Sequence, residues 1–115
     1  MRICLFGGTF DPPHIGHLLI AQTVFEEENF DKIFFIPAYN PPHKGNITPI
    51  KNRLEMLKIA IEGNPNFEIS DLEIKRKDDI PFLFISRSEI SKLGFPSIAI
   101  FNISNRFFIG VILPL

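Results

Sequence analysis

The chain has 115 residues, 45% of them hydrophobic and 22% charged, the balance of one ordinary soluble domain, which excludes a multidomain assembly and a disordered tail. A domain of this length buries roughly 65% of its unfolded surface and can hold a core without disulfides or metal. Twelve Lys and Arg against thirteen Asp and Glu leave a formal charge of -1, so no broad basic face for nucleic acid is expected and any phosphate must be held locally.

Residues 1–6 are too short an apolar stretch for an export signal, and Asp11, Pro12 and Pro13 follow almost at once. The uncharged run over residues 93–105 falls short of the roughly 18 apolar residues of a membrane helix and is broken by Pro96, Ser97, Asn102, Ser104 and Asn105. No membrane association is expected. The single Cys4 sits in an apolar run and predicts a buried thiol in a reducing, cytoplasmic setting.

Residues 2–6 read as a buried strand stopped by Gly7-Gly8. From residue 15 to about 28, Leu18, Leu19, Ala21, Val24 and Phe25 recur at helical spacing, and Glu26, Glu27 and Glu28 form a solvated end where the helix dipole disfavours them slightly. Residues 32–37 make a second buried strand, stopped by Pro37. A strand, helix, strand order predicts a parallel sheet with a right-handed crossover. Residues 38–49 hold Pro41, Pro42, Gly45 and Pro49 and predict a long loop, the kind of loop that usually carries function. Leu54, Leu57 and Ile61 mark a second helix over residues 50–62, ended by Gly63-Asn64-Pro65. Residues 67–70 and 72–74 read as extended, so the chain is α/β, β-α-β-α-β up to about Lys77. After Lys77 the character changes. Residues 78–115 hold six of the thirteen Phe, eight Ile, and only three basic and three acidic residues; a strand over 80–85, a short helix over 86–93 and strands over 97–103 and 107–113 are predicted there.

The segment joining the first strand to the first helix is Gly7-Gly8-Thr9-Phe10-Asp11-Pro12-Pro13-His14-Ile15-Gly16-His17. Glycines at a strand end let main-chain N–H groups approach an anion, and the following helix aims its positive end at the same place. The result is a phosphate cradle at the carboxyl end of a parallel strand. His14 and His17, three residues apart, share a face of the first helical turn and suit charge stabilisation on a transferring phosphoryl group. Taken singly, Gly-Gly before a helix is most often a turn, and a histidine at a helix start most often a cap or a surface residue. As half of a zinc site the pair lacks a third Cys or His nearby in sequence; only His43 remains.

The whole string, with His14-Ile15-Gly16-His17, resembles the signature of the nucleotidyltransferase superfamily. Joined to Pro41-Pro42-His43-Lys44, it resembles bacterial nicotinate-nucleotide adenylyltransferases over residues 1–77. Pantetheine-phosphate adenylyltransferase, the alternative, usually reads Pro-Gly-Thr-Phe-Asp-Pro and lacks the second motif. The resemblance implies a Rossmann-like parallel sheet with flanking helices and one nucleotidyltransferase-like domain over residues 1–115. It implies transfer of the adenylyl group from ATP to nicotinate mononucleotide, giving deamido-NAD and pyrophosphate, with Mg2+ carried by the ATP phosphates. His14 and His17 are then catalytic, and Gly7, Gly8, Thr9, Phe10 and Gly16 lie at the ATP phosphates. Asn40, His43, Lys44 and Arg53 lie at the substrate, Arg53 with a surface acid as its competing partner. Asp11 orders the loop, Tyr39 lines the pocket or packs, and a homo-oligomer stays open.

The resemblance also has departures. The family's Ser-Ser-Thr-x-x-Arg segment is absent, and its Ser-Tyr-Thr stretch is replaced by Asp79-Ile80-Pro81-Phe82-Leu83-Phe84. Phe107-Phe108-Ile109-Gly110 resembles the family's next strand, without the aspartate of the turn after it. A truncated or frameshifted sequence after about residue 77, with an incomplete C-terminal part, is therefore expected. An inactive fragment and a nucleotide-binding module are the alternatives to the enzyme.

Overall fold

The apolar runs at the two ends of the first helix pair side by side. In the computed structural model, which describes residues 2–39, 46–71, 74, 97–102 and 111–114 (the last two segments by backbone alone), the elements are β1 (Arg2–Gly8), α1 (Ile15–Glu27), β2 (Lys32–Pro37), α2 (Ile50–Ile61), β3 (Phe67–Ile69), β4 (Ser97–Asn102) and β5 (Val111–Pro114). They form one five-stranded sheet in the order β3-β2-β1-β4-β5. β1 runs parallel to β2 and β4, β2 parallel to β3, and β5 antiparallel to β4.

A strand covered on both faces needs apolar residues throughout rather than in alternation. Accordingly Ile3, Cys4, Leu5 and Phe6 of β1 and Ile33, Phe35 and Ile36 of β2 are all at most 2% exposed. Leu18, Ala21, Val24 and Phe25 of α1 pack onto this core, as do Leu57 and Ile61 of α2. Leu19, whose spacing groups it with that face, is 59% exposed instead. Arg2 offsets the three glutamates at the end of α1: its Nη1 donates to the Glu28 carbonyl at 2.7 Å and its guanidinium lies 5.2 Å from the Phe30 ring centroid.

The predicted first strand ends at Phe6, but the observed one runs on through Gly8. Gly7 pairs with both Ile36 and Asn102, Gly8 pairs with Pro37, and the Gly8 carbonyl accepts the Ala38 N–H at 2.8 Å. Pairing from both neighbours holds Gly7 extended, and pairing with β2 holds Gly8, despite their freedom. Beyond β3, Ile74 has helical rather than extended backbone. The predicted strands over 97–103 and 107–113 appear as Ser97–Asn102 and Val111–Pro114; the predictions for 80–85 and 86–93, and the 107–110 segment, lie outside the described residues. Strand order reverses at β1, between β2 on one side and β4 on the other, and the crevice at such a reversal opens at the carboxyl ends of the strands. Gly7 and Gly8 stand there.

Candidate functional site

α1 begins at His14, whose backbone is extended and whose Nδ1 accepts the Gly16 N–H at 3.0 Å. His17, the third residue of the helix, returns the contact: its Nδ1 accepts the His14 N–H at 3.0 Å. This is a capping box built from two imidazoles, where Ser or Thr with Glu is the usual pair. The rings stack with centroids 3.8 Å apart and planes 26° apart. A ring nitrogen that accepts an N–H carries no proton, so on each neutral ring the hydrogen sits on Nε2. The cap thereby fixes the tautomer of both rings, with the N–H on Nε2. The same helix terminus favours an anion. Protonation of either Nδ1 would release the cap.

Gly16 permits this arrangement. A Cβ at residue 16 would stand 2.8 Å from Cε1 and 2.9 Å from Nδ1 of His14. Phe10 supports His17 from below, its ring edge-on at 5.1 Å, and packs against Phe6 and Phe35 at 6.0 and 5.6 Å. Its φ is 51°, a left-handed backbone that bulky residues rarely adopt. Burial of the ring at 1% exposure holds the residue there, the kind of strain that collects at functional loops. Next to it, Thr9 is 5% exposed and its Oγ1 has no hydrogen-bond partner among the described residues.

Arg53, which the resemblance places at the substrate, lies in the wall of a cleft. It is 1% exposed, so it is not a surface side chain. Its Nε donates to the Thr48 carbonyl at 2.8 Å, its Nη1 to the carbonyls of Thr9 (3.0 Å) and Ala38, and its Nη2 to that of Tyr39 at 3.3 Å. The N–H fork is turned on main chain of the β1–α1 and β2–α2 loops. Asp11 joins the same loops, its Oδ2 accepting the Thr48 N–H at 2.8 Å, which matches its expected ordering role. Beside them lies an open cleft of about 300 Å³ lined by Tyr39, Ile47, Thr48, Pro49, Ile50 and Arg53. Asn40, His43 and Lys44 fall outside the described residues.

Among the described residues no group of three His, Cys, Asp or Glu stands close enough to hold a metal ion. Cys4 is buried behind the site at 0% exposure, and desolvation pushes its thiol up to about 12. No helix of the described residues is long and apolar enough to cross a membrane.

A sheet whose order reverses beside a helix N-terminus, with the site beyond the carboxyl ends of its strands, is the doubly wound α/β class of nucleotide-binding folds. The chain belongs to the cytidylyltransferase-like family, whose model matches residues 5–109. A relative from Caldicellulosiruptor saccharolyticus, named a probable nicotinate-nucleotide adenylyltransferase, is 51% identical over 79 residues, which are 68% of this chain and 40% of the relative. The nicotinate-nucleotide adenylyltransferase of Bacillus subtilis is 49% identical over 78 residues, 66% of this chain and 41% of the relative. The chain thus spans about two fifths of the length of these relatives. Among solved structures, the Plasmodium falciparum nicotinic acid mononucleotide adenylyltransferase complexed with NaAD superposes with a TM-score of 0.68 at 20% identity, over 88% of this chain and 50% of that one. The likeness establishes the Rossmann-like fold.

Proposed function

We propose that this protein transfers the adenylyl group of ATP to nicotinate mononucleotide, forming deamido-NAD and releasing pyrophosphate. The observation that carries the reading is the stacked, mutually capped pair His14 and His17 at the start of α1, one short loop beyond Gly7-Gly8. A phosphate oxygen of the mononucleotide attacks the α-phosphorus, the bond from that phosphorus to the bridging oxygen breaks, and pyrophosphate leaves with the electron pair. Such a displacement needs positioning and charge stabilisation and no protein nucleophile. The Nε2–H groups of His14 and His17 serve as donors to the triphosphate oxygens where charge develops. Main chain at Gly8, Thr9 and Phe10 forms the cradle, Gly7 ends the doubly paired strand before it, Gly16 gives its N–H to the cap that orients His14, and a phosphate oxygen is the natural partner for Thr9 Oγ1. Asn40, His43 and Lys44 contribute to the mononucleotide side, and Arg53 serves it through the loops it binds. Divalent metal enters with the nucleotide as part of the substrate, Mg2+ in this reading, held by the ATP phosphates. The names of the relatives support the substrate pair, and the buried thiol of Cys4 suits the cytoplasm.

The test is pyrophosphate release by the full chain from ATP and Mg2+ with nicotinate mononucleotide, run beside nicotinamide mononucleotide and phosphopantetheine, with the dinucleotide product identified by mass. Deamido-NAD formed fastest from the nicotinate substrate supports the reading. ATP binding without pyrophosphate release makes the protein a binding module, and no binding at all overturns both.

A further inference from the structure

Arg53 carries a long charged side chain into an almost fully buried position, which costs desolvation and side-chain entropy. Holding α2 to the sheet does not need this: Leu57, one turn later and 0% exposed, does that with apolar contact alone. What a guanidinium adds is a rigid planar fork that fixes the direction of the carbonyls it meets. Here those carbonyls lie on two loops far apart in sequence, Thr9 on the β1–α1 side and Ala38, Tyr39 and Thr48 on the β2–α2 side. Asp11 closes the brace, because Thr48 gives its N–H to that carboxylate and its carbonyl to Arg53. Neither loop can shift without moving the other. One loop carries the phosphate cradle and its unpartnered Thr9 Oγ1, and the other lines the cleft beside Tyr39.

We propose that Arg53 is a positioning residue that couples the two halves of the site, so that a nucleoside triphosphate on the Thr9 side and a mononucleotide in the cleft each tighten the binding of the other. The proposal rests on the function proposed above and deepens it. The first ligand to shift either loop shifts both through the brace, the second meets a loop already in its bound position, and the coupling is equal in the two directions by linkage.

The experiment measures dissociation constants of the full chain for nicotinate mononucleotide with and without saturating αβ-methylene ATP and Mg2+, and the reciprocal pair, in the wild type, Arg53→Lys and Asp11→Ala. The readout is the ratio of the two constants, which cancels any general loss of affinity or stability. The expected ratio is roughly tenfold in the wild type, within the usual range for coupled sites, and within about twofold of one in Arg53→Lys, which keeps the charge and loses the fork. Asp11→Ala, which leaves the arginine in place, lowers the ratio too. Amide hydrogen exchange at residues 9–11 and 46–48 should rise together in both variants. A full ratio in Arg53→Lys, or a wild type that binds both ligands without coupling, overturns the proposal while the function stands. A wild type that binds neither ligand overturns both.

Discussion

The ring of His17 accepts the main-chain N–H of His14 at 3.0 Å while lying stacked on the ring of His14, centroids 3.8 Å apart. The proposed catalytic pair is therefore also the cap of α1, and a substitution moves stability and chemistry together unless the cap is kept. Glutamine at residue 17 keeps an acceptor at the third helical position, as in the common capping box, and removes the ring donor. His17→Gln is expected to unfold within a few degrees of the wild type and to lose about 100-fold or more in pyrophosphate release. His17→Ala should lose the same activity and, in addition, about 1 kcal/mol of stability. Thermal unfolding beside the activity assay separates the two, and an unchanged rate in His17→Gln removes this residue from the chemistry.

Gly16→Ala reverses the usual expectation. In an unconstrained helix, alanine for glycine stabilises by up to about 1 kcal/mol. Here the new Cβ meets the His14 ring at 2.8 Å, and the ring, being the end of a side chain, swings away. The cap it gave is lost, about 1 kcal/mol, which offsets the propensity gain. Stability should stay within ~0.5 kcal/mol by these terms while ATP affinity falls, measured by urea denaturation and titration calorimetry. A variant that binds ATP as the wild type does would show that the glycine is there for the helix alone.

The strand and helix periods carried most of the first half of the fold, because β1, β2 and the core-facing positions of α1 and α2 announce themselves by apolar spacing. The string from Gly7 to His17 pointed to the candidate site for a similar reason, its residues being local in sequence. Even the imidazole cap was readable in principle, since His14 and His17 stand at the spacing of the first and last residues of a capping box. Arg53 was not. Its acceptors are main-chain carbonyls of Thr9, Ala38, Tyr39 and Thr48, and carbonyls leave no trace in residue type, so an arginine at a helix start reads as a surface charge or a phosphate ligand. The left-handed backbone of Phe10 was equally hidden, because nothing in the residue prefers it; Phe6, Phe35 and His17 impose it through the ring.

Thr9→Val tests whether the buried hydroxyl serves a ligand. An unpartnered hydroxyl out of water costs about 1–3 kcal/mol, and valine keeps nearly the same shape. The variant is expected to be more stable than the wild type by about 1 kcal/mol and to bind ATP about tenfold more weakly, roughly the value of one lost hydrogen bond to a charged group. Urea denaturation and ATP titration read the two quantities. If stability rises and affinity stays, Thr9 Oγ1 has no part in binding.

Cys4 gives the fold a dependence on alkaline pH whose sign follows from its burial. Between β2 and β4, pairing with Ile33 and Ala99, its thiol is held from an ordinary 9.0 up to about 12 because the thiolate would lose its hydration. Below pH 9 the folded and unfolded states both keep the proton and stability is indifferent to this group. Between 9 and 12 the unfolded thiol ionises while the folded one does not, the unfolded state binds fewer protons, and stability falls as pH rises. By pH 10.5 the loss is about 2 kcal/mol, from ~1.4 kcal/mol per unit over one and a half units. Urea midpoints at pH 8 and 10.5 for the wild type and Cys4→Ala isolate the effect, since tyrosine and lysine titrate alike in both. The wild type should lose about 2 kcal/mol more than the variant over that interval; equal losses would mean the thiolate reaches water in the folded state.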